Sequence, residues 1–415
     1  GRYTCRDFGQ NYLNSMDAKG NPVIFTNGDN DTFPLWYNQE TEGVRTDARV
    51  CNLSYLQTDW YIDQMRRPAY DSPSLPISWT RLQYVTGTRE GIPVQPDALQ
   101  QVIDYYKDSP EDLKQMLGDN PYELKNIIRH WVLNDNPDLQ IFPTDSIVVT
   151  VDKEAVKRSG MMIAADSIPD VMHISLKGKR AVYKSEMMML EMISQANWER
   201  PLYMSTTVGP DNYGHLGDNF VQEGLACRIT PFDTKQSGRT IDSERMYNNM
   251  MNKFKYGGLK ENPDIYLDET VIRMCYTHRR LFNQLAQQLL KEGQKDKALK
   301  VLQRAEEEIP GSIVPHEAFY GHSLELADAW LALGHKAEAE KLLNAVGQNA
   351  KEYIEWYLSL NTQRLLQSSR ECLMQIYILN DIAKTWEPID KKKAETYRME
   401  VNNYASRCHQ RGMSL

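Results

Sequence analysis

Three features that would assign many chains of this size to a functional class are missing here. The 415-residue sequence has no apolar run near the roughly 20 residues that a membrane-spanning helix needs. Its six cysteines are widely spaced, which excludes the CxxC spacings of zinc and redox sites. It also lacks a basic excess, because 48 basic against 56 acidic residues give a net charge of -8, and this argues against a nucleic-acid partner.

The N-terminus has neither an initiating Met nor the basic-then-apolar layout of a signal peptide. We therefore expect the chain to be a fragment of a longer protein. Its length is more than one ordinary core requires, so at least two domains are expected.

Strand-like and helix-like runs alternate up to about residue 245. Two β-rich runs, 22–26 and 49–54, flank a helical pattern, which predicts a βαβ unit with parallel neighbouring strands. Further strands are predicted at 146–151, 171–176, 202–207 and 223–229. We predict an α/β domain over 1–245, with a Rossmann-like, mostly parallel three-layer sheet and an irregular and helical insertion at about 68–140.

Helical patterns dominate the rest of the chain, and we predict an all-α domain over 265–415. Gly293 and Gly334 each lie between two amphipathic segments and are followed by Ala298 and Ala339 at the same spacing. This internal repeat resembles tetratricopeptide units, with extra residues around 311–317. Helices at 352–381 and 391–411 are expected to cover its end.

The most distinctive polar stretch follows the first predicted strand. Asn27, Asp29 and Asp31 alternate in a turn-forming loop, and loops at the carboxyl ends of strands line the binding crevice of open α/β sheets. Thr32 and Asn38 stand where a calcium loop needs Gly and Glu, which disfavours an EF-hand. Asp29 and Asp31 could hold a divalent cation as an Asp-x-Asp pair, or could fasten turn amides while Asp31 or Thr32 caps the next helix.

A glycine-rich loop, 209–219, is the second candidate, because glycines allow backbone amides to approach an anionic ligand. His215 could act there as acid, base or ligand, or be merely exposed. No catalytic residue, metal or other cofactor is assigned, apart from the alternative of a divalent cation at Asp29 and Asp31. The candidate binding residues are Asn27, Asp29, Asn30, Asp31, Trp36, Asp59, Trp60, Tyr213, His215, Asp218, Glu223 and Arg228.

Several of these stretches resemble one protein family. They are 25–37, 42–47, 52–54, 58–61, 190–203 and 223–231, which together span most of residues 7–231. They are similar to the extracytoplasmic part of a large multi-spanning membrane protein family of unknown function that is widespread in Bacteroidetes. That family in turn resembles the protein O-mannosyltransferase-like membrane glycosyltransferases of the GT-C type.

The resemblance implies a parent enzyme that uses a lipid-linked sugar donor and carries its catalytic acid in a membrane portion absent from this chain. We therefore expect a soluble accessory module on the extracytoplasmic (periplasmic) face of the inner membrane, tethered by its own N-terminal transmembrane region. It would bind a glycan or an acceptor protein, with no nucleic-acid partner. The alternatives are a metal-dependent glycosyl-transfer or hydrolysis domain using Asp29 and Asp31, and a protein-interaction scaffold built on the helical repeats.

Overall fold

The computed structural model describes residues 3–413 and divides into two compact units. The α/β unit is Arg6–Lys255, and the helical unit begins at Tyr256 and also takes in residues 3–5. The predicted fold class, an α/β region followed by an all-helical region, is confirmed. The predicted domain limits, 1–245 and 265–415, stay predictions.

The strands are short and all belong to the α/β unit. They are β1 (Val23–Thr26), β2 (Arg49–Asn52), β3 (Gly91–Pro93), β4 (Ser146–Thr150), β5 (Val171–Ser175), β6 (Ala181–Tyr183), β7 (Leu202–Ser205), β8 (Phe220–Gln222) and β9 (Ala226–Ile229).

The helices up to residue 248 lie before, between and after these strands. They are α1 (Thr4–Ser15), α2 (Phe33–Glu42), α3 (Asp59–Met65), α4 (Arg81–Tyr84), α5 (Ala98–Tyr105), α6 (Pro110–Leu117), α7 (Leu124–Ile127), α8 (Lys153–Ser159), α9 (Lys184–Gln195), α10 (Thr234–Ser237) and α11 (Ser243–Asn248).

The main sheet has the strand order β2-β1-β7-β9-β8. β1 pairs in parallel with both β2 and β7, so the predicted βαβ unit is confirmed. β9 is antiparallel to both β7 and β8, which makes the sheet mixed. The reason is local: the single strand predicted over 223–229 is instead the second arm of a β8–β9 hairpin, and a connection this short permits only antiparallel pairing.

The strands predicted at 146–151 and 171–176 are present, but they pair with each other outside the main sheet as β4 and β5. β3 and β6 form a second antiparallel pair. The segment 68–140 contains α4 to α7 as well as β3. A methionine-rich helix, α9, is buried along its centre and joins these smaller pairs to the core of the main sheet.

The first helix, α1, was not predicted from the sequence, and it buries Phe8, Tyr12 and Leu13. Gly9 lets this helix approach α2 closely, because a Cβ at that position would lie 2.3 Å from the carbonyl oxygen of Pro34. Any side chain at position 9 would collide with α2, so this contact requires glycine.

The helical unit is built from α12 (Glu269–Lys291), α13 (Lys295–Glu308), α14 (Ser323–Ala332), α15 (Lys336–Ser359), α16 (Thr362–Gln367), α17 (Ser369–Trp386) and α18 (Lys391–Gln410). Gly293 and Gly334 adopt φ values of 74° and 82° in the turns that join α12 to α13 and α14 to α15. The predicted continuous helix over 352–381 is wrong. The chain leaves the helical conformation at Leu360, and the side chain of Asn361 then caps α16 by accepting from Arg364 N.

The extra residues of the repeat form a loop between α13 and α14 that is fastened by one buried side chain. The guanidinium of Arg279 donates to the carbonyl oxygens of Ile309 (3.0 Å), Val314 (2.8 Å) and Pro315 (2.9 Å). Three carbonyl acceptors satisfy the buried donors of this cation. Arg279 therefore fixes the backbone of this loop at three carbonyl groups.

No helix within the described residues, 3–413, is long and apolar enough to cross a membrane.

His278 on α12 makes the stability of the helical unit depend on pH. Burial lowers its pKa from 6.5 to about 3. The unfolded chain takes up a proton near pH 6.5 while the folded chain does not, so stability is lost as the pH falls below 6.5. Between about pH 7.5 and about pH 5, we expect this residue to reduce the free energy of unfolding by about 2 kcal/mol.

Urea unfolding at the two pH values measures this loss, and His278→Gln should abolish it. The exposed His409→Gln is the control and should keep the wild-type dependence. An identical pH dependence in wild type and His278→Gln would contradict the prediction.

Candidate functional site

The candidate site lies where β1, β2 and β7 end at the same edge of the main sheet. β1 connects through α2 to β2 on one side, and the chain later returns to pair β7 on the other side of β1. This reversal of direction is a topological switch point, and ligands of open α/β sheets bind outside the carboxyl ends of the strands there. The acidic loop, 27–32, follows β1 at this point.

Asp29 and Asp31 have different environments. Asp29 is exposed, and its carbonyl oxygen holds the turn by accepting from Thr32 N (3.2 Å) and Phe33 N (2.9 Å). Asp31 is buried, and its Oδ2 accepts from Asn27 N (3.1 Å) and from the Thr207 hydroxyl (2.9 Å). Burial raises the pKa of Asp31, while these two hydrogen bonds oppose the rise. Asp31 therefore fastens the loop after β1 to the segment after β7.

Thr207 also connects Asp31 to a group of hydroxyls on Tyr12 and Ser205. The Tyr12 hydroxyl lies 3.1 Å from that of Thr207 and accepts from Ser205 at 3.2 Å. Burial, followed by the charge of Asp31, raises the pKa of Tyr12 to about 12. Tyr12 therefore remains a neutral donor. We call Asn27, Asp31, Tyr12, Ser205 and Thr207 the edge network.

The prediction that Asp31 or Thr32 caps α2 with its side chain is wrong. α2 begins after Thr32, but no side-chain hydrogen bond caps it. The Thr32 hydroxyl instead lies 2.8 Å from that of Thr26 and accepts from Asn52 Nδ2 at 2.9 Å, which ties the ends of β1 and β2 together. Nearby, Asn27 Oδ1 accepts from the Ser54 hydroxyl at 2.5 Å.

Aromatic side chains form a row beside this edge. The ring centroids of Phe33 and Trp36 are 5.7 Å apart, those of Trp36 and Tyr55 6.2 Å, and those of Tyr55 and Trp60 5.9 Å. The rings of Trp36 and Tyr55 are stacked and nearly parallel, with 12° between their planes. Phe33 and Trp60, at the two ends, are 45% and 50% exposed. We call Phe33, Trp36, Tyr55 and Trp60 the aromatic row.

Asp59 lies at the start of α3, next to the aromatic row. It accepts from Thr86 N at 3.3 Å and lies 3.8 Å from Arg81 Nη2. The hydrogen bond from Thr86 lowers the pKa of Asp59. These contacts give Asp59 a role in holding the segment before β3.

Residues of the predicted glycine-rich loop, 209–219, line a cleft that includes no residue of the acidic loop among its described lining. The loop forms two 3₁₀ turns, Pro210–Asn212 and Gly214–Asn219. His215 and Asp218, with 3.9 Å between Nδ1 and Oδ2, line a polar cleft of about 880 Å³ that also includes His173 and Arg239. Tyr213 packs on Phe220 with 4.9 Å between ring centroids.

Glu223 and Arg228 belong to a buried charge network, with side chains 0% and 1% exposed. Glu223 Oε2 accepts from the Tyr203 hydroxyl at 2.8 Å and lies 3.4 Å from Arg245 Nη1. Asp17 Oδ2 lies 3.3 Å from Arg228 and 3.1 Å from Arg245. Burial raises the pKa of Glu223 against the opposing charges of the two arginines. Burial alone would raise the pKa of Asp17. A backbone hydrogen bond and the two arginines outweigh this effect, so its pKa is lowered.

The predicted candidates thus fall into separate groups. Asn27 and Asp31 belong to the edge network, and Asp29 and Asn30 are exposed on the same loop. Trp36 and Trp60 are brought together through Tyr55. Among the described residues, no hydrogen bond or ion pair joins the acidic loop to His215 or Asp218. Whether any of them binds a ligand stays a prediction.

Five members of the edge network and the aromatic row were not among the predicted candidates: Tyr12, Phe33, Tyr55, Ser205 and Thr207. Thr207 ends a predicted strand in the run Ser205-Thr206-Thr207, so its position beside the acidic loop followed from parallel pairing of β1 and β7. Tyr55 could be suspected from its place between two polar stretches. Tyr12 gave no local signal, because it reaches the edge only through the packing of α1.

No group of three or more His, Cys, Asp or Glu side chains within residues 3–413 is arranged to hold a metal ion. The carboxylates of Asp29 and Asp31 accordingly do not have a third such ligand in the described part of the chain.

The fold and this edge define a class: an α/β domain with a polar and aromatic surface at its topological switch point, followed by a helical unit. Residues 5–249, more than half of the chain, match the model of the family described as TMEM260-associated domain 2. The chain therefore belongs to that family, which is consistent with the predicted origin in a membrane protein family. No curated protein and no solved structure matches the chain.

The hydrogen bonds of the edge network predict how the pKa of Asp31 responds to a substitution. Its pKa should lie above the ordinary 3.8, and Thr207→Val should raise it further because the carboxylate loses a donor. Carboxyl ¹³C NMR titration measures both values. Thr46→Val, which removes a hydroxyl that donates to Asp71, is the control and should leave Asp31 unchanged. A pKa of Asp31 at or below 3.8 would contradict this assignment.

The buried charge network predicts a large cost for removing one partner. Arg228→Met leaves Glu223 and Asp17 with Arg245 alone, so we expect the free energy of unfolding to fall by about 3 kcal/mol. Adding Glu223→Gln should recover part of this loss. Urea unfolding measures both.

The control is Arg158→Met, which breaks an exposed ion pair with Glu199 and should cost less than about 1 kcal/mol. Equal losses for Arg228→Met and Arg158→Met would show that the buried network does not hold the unit together.

Proposed function

We propose that this chain is an extracytoplasmic accessory module of a membrane protein glycosyltransferase, and that its α/β unit binds a glycan at the carboxyl edge of the main sheet. The observation that carries the proposal is the aromatic row beside exposed polar side chains of the acidic loop. The family match to a domain associated with a membrane protein supports it.

The chemistry of the edge suits a sugar. One face of a pyranose ring presents C–H groups that pack on aromatic faces, while its hydroxyls need donors and acceptors around the rim. Phe33 and Trp60 offer half-exposed rings, and Asp29 and Asn30 offer exposed polar groups on the adjoining loop. Trp36 and Tyr55 are partly buried against the core, so the contact area for a sugar comes mainly from the exposed end rings, Phe33 and Trp60.

The same geometry favours binding over catalysis. Asp31, the buried acid of the loop, already accepts two hydrogen bonds on Oδ2 and is held by both. A general base must reach the proton that it removes, whereas this oxygen is directed into the edge network. Catalysis would then belong to the membrane portion of the parent protein, in keeping with the family resemblance.

In this proposal the module lies on the periplasmic side of the inner membrane, tethered by the transmembrane region that precedes it in the parent protein. The aromatic row would hold a glycan on the acceptor protein, or the acceptor itself, near the enzyme. Binding of this kind raises the local concentration of acceptor without any chemical step in the module.

Isothermal titration of the chain with oligomannose fragments tests the proposal. We expect weak binding, with a Kd of about 1 mM. Trp60→Ala should weaken it about fivefold, because one stacked ring contributes roughly 1 kcal/mol. Tyr105→Ala, which removes an exposed ring on α5, is the matched control and should bind like wild type.

Other neutral oligosaccharides should be titrated alongside, since the edge does not select the sugar by charge. The proposal fails if none of them binds, or if Trp60→Ala and Tyr105→Ala bind as wild type does.

A further inference from the structure

A second aromatic surface lies in the helical unit, in a groove of about 860 Å³ between α12, α15, α17 and the loop after α13. Six aromatic side chains line it: Tyr266, Tyr276, Phe319, Tyr320, Tyr353 and Tyr357. Four of them are exposed, from 41% for Phe319 to 71% for Tyr266. Contiguous exposed apolar surface of this kind marks an interaction site.

The wall formed by Phe319 and Tyr320 is held in place rather than loose. Glu317 accepts from Phe319 N at 2.9 Å and also from Gly321 N. The hydroxyl of Tyr276 donates to the carbonyl oxygen of Pro315 at 3.1 Å, which Arg279 also holds from below. A wall fixed before binding loses little entropy when a ligand arrives.

The groove carries negative charge. Glu269, Glu317 and Glu371 line it, and among the described lining residues Arg273 is the one basic side chain. Arg273 is already engaged: it pairs with Glu269 at 2.6 Å and its guanidinium lies 5.7 Å from the ring centroid of Tyr320. The groove therefore already holds one cation between a carboxylate and an aromatic face.

Tyr353 and Tyr357 on α15 and Glu371 on α17 also line the groove. Burial, and after it the charge of Glu371, raises the pKa of Tyr357, which is consistent with a carboxylate close to that ring. This group again combines aromatic rings with a carboxylate, but it has no basic residue of its own among the described lining. It is therefore suited to a cation supplied by a partner.

We propose that the groove binds an extended peptide segment of a partner protein, with an arginine or lysine side chain seated between Tyr353, Tyr357 and Glu371. The floor favours a peptide over a glycan. It is formed by apolar side chains such as Leu267, Val346 and Ile378, against which sugar hydroxyls would be buried without hydrogen-bond partners. Apolar side chains of a peptide carry no such cost.

This site goes beyond glycan binding by the α/β unit and does not depend on it. The two surfaces belong to different units and use different residues, so either can fail alone.

Fluorescence anisotropy of the whole chain with two fluorescein-labelled peptides tests the proposal. One peptide alternates proline and arginine, and the other has glutamate in place of each arginine. The arginine peptide should bind and be weakened by salt, because the contact is partly ionic. Glu371→Gln and Tyr353→Ala should each weaken it about fivefold, whereas Tyr353→Phe keeps the aromatic face and should bind as wild type.

Matched controls lie outside the groove. Tyr377→Ala removes an exposed ring from α17, and Glu395→Gln removes an exposed carboxylate from α18, so both should bind as wild type. Trp60→Ala should also leave peptide binding intact. Circular dichroism confirms that each variant is folded.

The proposal is overturned if neither peptide binds, if both bind equally, or if the controls weaken binding as much as Glu371→Gln. Binding of oligomannose that is lost in Tyr353→Ala would likewise overturn it, in favour of a glycan groove.

Discussion

The parallel pairing of β1 with β2 on one side and β7 on the other is the constraint on which the α/β unit depends. It brings the ends of three strands from distant parts of the chain to one edge. Thr207 then meets Asp31 across 176 positions of sequence at 2.9 Å. A buried carboxylate needs such donors, and Asp31 receives one from Asn27 in its own loop and one from Thr207 in the segment after β7. The loop after β1 is thereby fixed, and the aromatic row with it, since Phe33 and Trp36 begin the helix that follows.

Two kinds of polar residue must be distinguished at this edge. Asp31, Thr207 and Tyr12 use their hydrogen-bonding groups on one another, so their role is to position the loop. Asp29 and Asn30 face solvent. Asp31, one of the two acids of the predicted Asp-x-Asp pair, is thus a structural acid, and the surface that we propose for a ligand consists of exposed polar groups and rings. This division is why we favour binding over chemistry in this unit.

Local chemistry made much of the fold predictable. Val23–Thr26 and Arg49–Asn52 stand out as strands, Gly43 ends α2 with a left-handed φ of 65°, and Gly293 and Gly334 end helices in the same way. Each signal is contained within a few residues. Trp36 and Trp60 were likewise identifiable as candidates, because large aromatic side chains next to a polar turn are visible in the sequence itself.

The parts that could not be predicted depend on long-range contacts. Thr32 was a plausible cap, but its hydroxyl is used by Thr26 and Asn52, and only the paired strands put those groups within reach. Glu223 and Arg228 were among the predicted binding residues. Their partner Asp17 is 211 positions from Arg228, and this pairing explains their burial without any ligand. α1 itself is defined by its packing rather than by a strong pattern.

The central claim is that a glycan meets the α/β unit at the aromatic row. Two-dimensional ¹H–¹⁵N NMR of the indole N–H groups reports on all 8 tryptophans of the chain at once. During titration with oligomannose fragments, the account predicts that the signals of Trp36 and Trp60 move together and saturate while the other indole signals stay in place. Stationary signals for Trp36 and Trp60 at saturating sugar, or movement confined to other tryptophans, would contradict it.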